Sequence, residues 1–267
     1  MTEDAGVPIL MYHAVATDPN DATRTLSVTP EAFTAQMELI GDLGLTPVTT
    51  ADLAARWRDG RPLPPRPVLV TFDDGYAGVH AHALPVLAQH GFPATLFVTT
   101  GWLRGPYDTG GAPDTMLDWD QVRELAGAGV EIGGHSHSHP QLDQLDDEAL
   151  RLELTRCRDL VADELGVPPV SFAHPYGYSS RRVRREVRAA GFAQALAVGN
   201  ALARHRQGPY ALRRVTVRRG TRVEEFARLV EGRAIARTFA TDRALTKGYA
   251  VVRRARQVRR KAIRSRV

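Results

Sequence analysis

The stretch Val68-Leu69-Val70-Thr71-Phe72-Asp73-Asp74-Gly75-Tyr76 sets the fold and offers the first candidate chemistry. Its apolar, β-branched beginning, Val68–Phe72, predicts a buried strand, and the two aspartates follow where that strand should end. Side chains alternate between the two faces of a strand, so Asp73 and Asp74 can serve one site only if the chain turns there. Gly75 permits that turn.

Two adjacent carboxylates at a strand end are costly unless a cation or a proton separates their charges. The segment therefore predicts a metal or proton site, with a solvated Asp-Asp-Gly turn as the alternative. A glycosidase pair fits poorly, because its two carboxyl groups lie ~5–9.5 Å apart on opposite sides of a sugar.

Outward from this stretch, short β-branched runs alternate with amphipathic segments, which is typical of an α/β fold with a parallel sheet. The predicted strands are Val7–Tyr12, Leu45–Thr49, Val68–Phe72, Ala94–Thr99, Val130–Gly133, Val170–Ala173, Ala193–Val198 and Leu212–Val217. The predicted helices are Pro30–Leu43, Ala77–His90, Trp119–Ala128, Asp146–Leu165, Arg181–Ala190 and Thr221–Glu231. This number of strand–helix units favours a barrel, with an open doubly wound sheet as the alternative.

Three other segments carry local predictions. Arg56–Pro67 is rich in proline and predicts an extended connector, and Trp102–Asp114 predicts a long loop. Cys157 belongs to the apolar stripe of the helix Asp146–Leu165, which predicts a small core residue and not a nucleophile.

The second candidate for chemistry is Glu131-Ile132-Gly133-Gly134-His135-Ser136-His137-Ser138-His139-Pro140. If the segment turns helically after its strand, His135 and His139 face one cation and His137 lies outside. If the strand continues, all three histidines share a face. The two glycines favour the turn, and histidines without a metal role are the remaining alternative.

Asp74, His135 and His139 together offer one carboxylate and two imidazoles, a set suited to zinc with open positions for water. Asp73 is then left as the base that takes a proton from water. Both segments follow predicted strands, and active sites of barrels lie at the carboxyl ends of the strands.

Three ordered motifs carry a family resemblance: TFDDG at 71–75, EIGGHSHSHPQL at 131–142 and FAHPYG at 172–177. They resemble the polysaccharide deacetylases of the NodB-homology type (carbohydrate esterase family 4), over about residues 7–231. The resemblance implies a distorted (β/α)7-like barrel, which we place at residues 1–232; the charge distribution marks residues 233–267 as a basic tail. It also implies a divalent metal, zinc being the expected ion, and removal of N-acetyl groups from N-acetylglucosamine-type sugars.

Position by position, the resemblance assigns the catalytic base to Asp73 and the metal ligands to Asp74, His135 and His139. It places the wall of the substrate groove at Pro175, Tyr176 and Gly177. The groove motif of the family usually begins with an arginine that steadies the base, whereas this chain has Ala173 there.

The family's usual late Leu-x-His motif, the source of its general acid, is also absent. The early Leu10-Met11-Tyr12-His13 resembles a circularly rearranged branch that includes poly-N-acetylglucosamine deacetylases, which makes His13 the candidate acid. A structural histidine is the alternative. Arg214 resembles a recurrent arginine of that branch; we assign it to the substrate groove, where it would also steady Asp73, against the alternative of an exposed arginine. His137 and His174 are expected in supporting or structural roles.

Three other functions stay open from the sequence. A related amidase would act on a small acylated metabolite or a lipid-linked sugar. A catalytically inactive carbohydrate-binding protein would account for the missing groove arginine. Nucleic-acid binding through the tail is the least expected, because no folded nucleic-acid module is visible.

The composition fits an ordinary folded domain, with 43% apolar and 24% charged residues. One cysteine excludes an internal disulfide framework and a multi-cysteine zinc site. No apolar run approaches the ~20 residues of a membrane span, and the acidic start of the chain does not resemble a secretory signal, so a cytoplasmic location is expected.

The net charge of +5 is unevenly distributed. Residues 233–267 carry 12 Lys and Arg against one acidic residue, whereas residues 1–232 carry 23 basic against 29 acidic residues. Apolar residues interleave with the bases at 251–267, so the tail predicts a weak peripheral contact with an anionic membrane, with a solvated or disordered end as the alternative.

Overall fold

Parallel strands form the centre of the structure, a computed structural model that describes residues 6–242 together with Ala244, Tyr249 and Arg253. The strands are β1 (Ile9–Tyr12), β2 (Thr46–Pro47), β3 (Pro67–Phe72), β4 (Thr95–Val98), β5 (Glu131–Gly134), β6 (Ser171–Ala173), β7 (Gln194–Val198) and β8 (Leu212–Thr216). Each overlaps a strand predicted from the sequence.

The sheet closes on itself through β1. Residues 9–12 of β1 pair with residues 69–72 of β3 on one side, and residues 10–11 pair with residues 215–216 of β8 on the other. From β3 the pairing continues through β4, β5, β6 and β7 to β8, so seven strands form a ring. The strand β2 pairs with the beginning of β3 and is not part of the ring. The predicted (β/α)7-like barrel is confirmed, and the alternative of an open sheet is wrong.

Helices follow most of the strands along the chain. They are α1 (Asp21–Arg24), α2 (Pro30–Asp42), α3 (Thr50–Asp59), α4 (Leu84–His90), α5 (Trp119–Gly127), α6 (Asp147–Leu165), α7 (Arg181–Ala189), α8 (Val223–Val230) and α9 (Ile235–Thr238). The predicted helix Ala77–His90 is π-helical over Val79–Ala83 and α-helical only in α4. Pro85 lies at the start of α4, where its missing N–H cannot complete the preceding α-helical turn.

The predicted connector Arg56–Pro67 is wrong in its first four residues, which belong to α3. A capping box begins this helix: the Thr49 side chain accepts the backbone N–H of Asp52, and the Asp52 carboxylate accepts the N–H of Thr49. Gly60, in a left-handed conformation with φ of 75°, ends it. The prolines that favoured a connector, from Pro62 onward, all lie after Gly60.

Cys157 lies in the core, as its place in the apolar stripe of α6 predicts. Its side chain is fully buried, and burial raises the pKa of the thiol to about 12. The thiol therefore stays protonated at neutral pH and is not a nucleophile.

The predicted tail begins in contact with the barrel. In α9 and just after it, Ile235 and Phe239 are buried against Val215 and Leu229. The 251–267 segment on which the membrane and nucleic-acid expectations depend lies, apart from Arg253, outside the described residues, so those expectations stay predictions. Within the part of the chain that the structure describes, no helix is both long and apolar enough to cross a bilayer.

The start of α3 closes the end of the barrel at which the strands begin. The Thr50 hydroxyl donates to Glu131 at 2.8 Å, and the backbone N–H of Ala51 donates to the same carboxylate at 2.9 Å. Hydroxyls of Thr95 and Ser171 donate to it at 2.9 and 2.8 Å. One carboxylate thus ties α3 to three strands, at the end opposite the carboxyl ends of the strands.

Replacement of Glu131 by alanine should lower the free energy of unfolding by about 3 kcal/mol, because several buried donors lose their acceptor at once. Chemical denaturation measures the change, with Glu38→Ala on the exposed face of α2 as the control. Metal affinity should not change, because Glu131 lies at the other end of the barrel. A variant as stable as the wild type would contradict this role for Glu131.

Candidate active site

Both candidate segments lie where strands end, and the local backbone brings their side chains together. The strand β3 ends at Phe72, and the Asp73 N–H donates to the Tyr12 carbonyl at 3.0 Å, which holds Asp73 against β1. Asp74 itself adopts a left-handed conformation with φ of 77°, followed by Gly75 with φ of 102°. The chain therefore turns at the aspartates, and both carboxylates reach one site.

The Asp74, His135 and His139 side chains form a cluster that can hold a metal ion. Asp74 Oδ1 lies 3.3 Å from Nε2 of His135 and 3.3 Å from Nε2 of His139, and the three ligand atoms all lie within 4.8 Å of one another. Tetrahedral zinc with bonds of ~2.0–2.1 Å spaces its ligand atoms by roughly 3.3 Å. Asp74 Oδ1 accepts no well-formed hydrogen bond from the described residues, so the arrangement fits a divalent metal ion.

Two backbone features aim the imidazoles. The Nδ1 of His135 donates to the Ala173 carbonyl at 2.8 Å, which leaves Nε2 free to bind a metal. His139 lies at the end of a turn that begins at Ser136, and both residues have positive φ, 68° at Ser136 and 58° at His139. The Nδ1 of His137 instead meets the Thr100 hydroxyl at 2.9 Å, outside the cluster. His137 lies outside the cluster, as a turn predicts, but the turn is not helical because Ser136 and His139 have positive φ; the three-histidine face is wrong.

The ionisation of the cluster follows from burial and from neighbouring charges. Burial opposes ionisation of Asp74, yet the imidazoles of His135 and His139 hold its pKa well below the ordinary value. Burial lowers the pKa of His135, but Asp73 and Asp74 outweigh it and raise the pKa overall. For His139 burial dominates and lowers the pKa to about 4. An ionised carboxylate beside a neutral His139 is the state that binds a metal.

Asp73 forms a buried ion pair with Arg214. Nη1 and Nη2 of Arg214 donate to the two carboxylate oxygens at 2.6 and 2.7 Å, and the arginine is fully buried. Burial opposes ionisation of Asp73, but the Arg214 charge outweighs it, so the pKa of Asp73 is lowered. The alternative of an exposed arginine is wrong. Both terminal nitrogens of Arg214 bind Asp73, and the side chain is fully buried. Its assignment to the substrate groove is therefore wrong, whereas its contact with Asp73 is as expected.

His13 lies just after β1, within the electrostatic field of the same site. Burial lowers its pKa, the charges of Asp74 and Asp73 raise it, and Arg214 and His135 lower it further, with a net lowering. Its buried Nδ1 has no hydrogen-bond partner among the described residues. By contrast, His174 is fully buried, its Nε2 lies 3.1 Å from the Tyr210 carbonyl oxygen, and burial lowers its pKa to about 3, which fits a structural residue.

The segment from Pro175 to Gly177 forms a short wall beside the cluster. Tyr176 has φ of 58° and is 51% exposed, and its ring centroid lies 4.7 Å from that of His139. A side chain at Gly177 would overlap Val198, because an added Cβ would lie 2.6 Å from its Cβ. Glycine is therefore required for the wall to pack on β7.

Sequence reasoning did not assign Trp102 to the site. Its ring centroid lies 4.6 Å from that of His139, so Trp102 and Tyr176 both pack against this one imidazole. The available signal was its position in the loop that follows β4, at the same end of the barrel.

One residue of the tail also reaches this region. The Arg253 guanidinium carbon lies 3.1 Å from the centroid of the Tyr178 ring, and its Nε lies 3.5 Å from Oδ2 of Asp143. Tyr178 stacks on Tyr176 with a centroid distance of 5.8 Å. Arg253 therefore lies behind the exposed wall of the candidate groove.

Comparison with known proteins gives concordant matches. The polysaccharide deacetylase family model matches residues 60–195. The Bacillus subtilis strain 168 protein YxkH, described as a polysaccharide deacetylase, is 26% identical over 227 residues. The match covers 85% of this chain and 77% of YxkH. The poly-beta-1,6-N-acetyl-D-glucosamine N-deacetylase of Escherichia coli strain K12 is 25% identical over 260 residues, covering 84% of this chain but only 38% of that enzyme.

Solved structures show the same fold. The Streptococcus pyogenes deacetylase PplD, in complex with acetate, superposes with a TM-score of 0.76 at 22% identity, covering 85% of this chain and 99% of PplD. IcaB from Ammonifex degensii superposes with a TM-score of 0.70 at 23% identity, covering 85% of this chain and 97% of IcaB. Because the family model spans just over half of the chain and includes both aspartates and both histidines of the site, this chain belongs to the polysaccharide deacetylase family, which confirms the carbohydrate deacetylase class expected from its three motifs.

Proposed function

We propose that this chain removes N-acetyl groups from N-acetylglucosamine-type sugars or glycans by metal-dependent hydrolysis, releasing acetate. The observation that carries the proposal is the buried Asp74, His135 and His139 cluster beside the Asp73–Arg214 pair. A bound divalent ion, expected to be zinc, would activate water and polarise the acetamide carbonyl.

Asp73 accepts the proton of the attacking water in this proposal. Arg214 fixes the orientation of the carboxylate through two hydrogen bonds and keeps it ionised. His13, in its protonated form, is assigned to protonate the departing amine nitrogen. The backbone N–H of Tyr176 is assigned to the acetyl oxygen, and Pro175 and Gly177 shape the wall around it.

The Asp73–Arg214 pair also bears on the alternative of an inactive binding protein. That alternative arose because Ala173 occupies the position at which the family motif has an arginine that steadies the base. In this structure Arg214, on β8, supplies a guanidinium to Asp73 from another strand. The missing motif arginine is thus compensated in space, which favours catalysis over binding alone.

The substrate is proposed from the relatives. The E. coli relative is named for poly-beta-1,6-N-acetyl-D-glucosamine, and this chain spans about two fifths of its length. A glycan of N-acetylglucosamine units is therefore the proposed substrate, and a small acylated metabolite or a lipid-linked sugar is the alternative.

Acetate release tests this proposal directly. The protein is stripped with a chelator, restored with zinc, and offered N-acetylglucosamine, its oligomers and lipid-linked N-acetylated precursors. We expect acetate only after zinc is restored, with oligomers preferred to the monosaccharide. Release from the lipid-linked precursors alone would select the alternative substrate. Absence of release from every member, with zinc shown to be bound, would contradict the proposed activity.

A further inference from the structure

The loop that carries His139 needs support from outside itself. Ser136 and His139 both adopt left-handed backbone conformations, which non-glycine residues rarely adopt unless their surroundings enforce them. Within the loop, the Ser136 hydroxyl accepts the N–H of His139 at 3.0 Å. That single bond leaves the backbone at residues 137 and 138 to be held by other elements.

Glu153, in the second turn of α6, supplies this support. Its Oε2 accepts the backbone N–H of His137 at 2.9 Å and that of Ser138 at 2.8 Å. Its Oε1 accepts the Ser138 hydroxyl at 2.5 Å. His137 and Ser138 provide the donors of all three hydrogen bonds. They lie between Ser136 and His139, the two residues of the loop that have positive φ.

The other side of the loop rests against the segment after β4. The Gly101 N–H donates to the His137 carbonyl at 2.7 Å, and the Thr100 hydroxyl meets Nδ1 of His137 at 2.9 Å. A Cβ at Gly101 would lie 2.6 Å from the same carbonyl oxygen, so the approach is close. His137 is thus an anchor of the loop, fixed from both sides.

We propose that Glu153 is a positioning residue of the metal site. By holding residues 137 and 138, it sets the path of the loop so that Nε2 of His139 lies 3.3 Å from Oδ1 of Asp74. The inference rests on the proposed metal site, and Glu153 lies outside the three sequence motifs. Glu153 holds the loop by accepting hydrogen bonds from backbone N–H groups. We therefore expect its support to depend on the length of the side chain and on its acceptor oxygens, and not on its negative charge.

Three substitutions separate reach from charge. Glu153→Gln keeps the length: its amide oxygen can accept both N–H groups, and its amide NH2 can donate to the Ser138 hydroxyl. Glu153→Asp keeps the charge but is one methylene too short to span the same contacts. Glu153→Ala removes every contact. Glu148→Ala, an exposed acid in the first turn of the same helix, is the control.

The measurement is zinc affinity of the full chain by competition with a chromophoric chelator, alongside circular dichroism and thermal melting of the zinc-free proteins. We expect the Ala and Asp variants to lose about 10- to 100-fold in affinity, as is found when a group that supports a ligand is removed. The Gln and Glu148→Ala variants should stay within about threefold of the wild type.

Two results would overturn the role of Glu153: wild-type affinity in the Ala variant, or an Asp variant that binds as the wild type does while Gln fails. If the Ala variant does not fold, the comparison of Asp with Gln decides the question alone. If the wild-type protein itself binds no zinc, the proposed metal site is wrong. This result differs from a failure of the Glu153 proposal, in which the wild-type protein binds zinc and the variants do not behave as expected.

Discussion

Asp73→Asn should leave zinc bound and abolish most of the acetate release. Asparagine keeps the shape of the side chain and one oxygen acceptor for Arg214, but it cannot take a proton from the attacking water. General base catalysis contributes about 10²- to 10⁴-fold in typical enzymes, so turnover should fall by that factor. The measurement is the rate of acetate release at saturating zinc, compared with zinc affinity of the same preparation.

The same substitution carries a stability cost that must be measured separately. Arg214 is fully buried, and removal of the partner of a buried charge costs up to about 3–5 kcal/mol. Thermal melting therefore has to show that the variant is folded at the assay temperature. Full activity in a folded Asp73→Asn protein would refute the assignment of Asp73 as the base.

The strands and the metal cluster could be predicted from the sequence because their signals are local. Runs of β-branched residues marked the strands. The spacing of His135 and His139, four residues apart after Gly133-Gly134, indicated a turn that brings them together. Their position after predicted strands indicated which end of the barrel they occupy.

The partnership of Asp73 with Arg214 could be proposed only through the family resemblance, because these residues are 141 positions apart. Their contact depends on β1 pairing with both β3 and β8, and the order of strands in a sheet is not a local property of the sequence. Glu153 and Trp102 were missed for the same reason. Their contacts with the histidine loop arise from how α6 and the segment after β4 pack around it.

The start of α3 shows a different limit. The capping box at Thr49 and Asp52 was readable, yet the acceptor that holds the helix across the barrel is Glu131, which the sequence presents only as the first residue of a strand. A charged residue there has no evident local purpose. Its role appears only when Thr50, Ala51, Thr95 and Ser171 converge on it.

Asp74→Asn is expected to have the opposite signature to Asp73→Asn, although the two residues are neighbours and the substitution is the same. Asp74 Oδ1 lies 3.3 Å from Nε2 of His135 and from Nε2 of His139, so we assign Asp74 as the anionic ligand of the proposed metal site. A neutral amide is a much poorer ligand, and the loss of zinc affinity should exceed the 10- to 100-fold that follows loss of a supporting group.

Acetate release by Asp74→Asn should therefore fall with zinc occupancy and recover in part when zinc is raised, whereas no zinc concentration restores Asp73→Asn. Titration of both variants with zinc, with binding and acetate followed in parallel, makes each the control for the other. A shared stability loss cannot mimic this pattern, because it would lower both activities without separating their zinc dependence. If the two variants respond to zinc identically, the division of roles between the adjacent carboxylates is wrong, and the pair acts on the metal or on the proton as one unit.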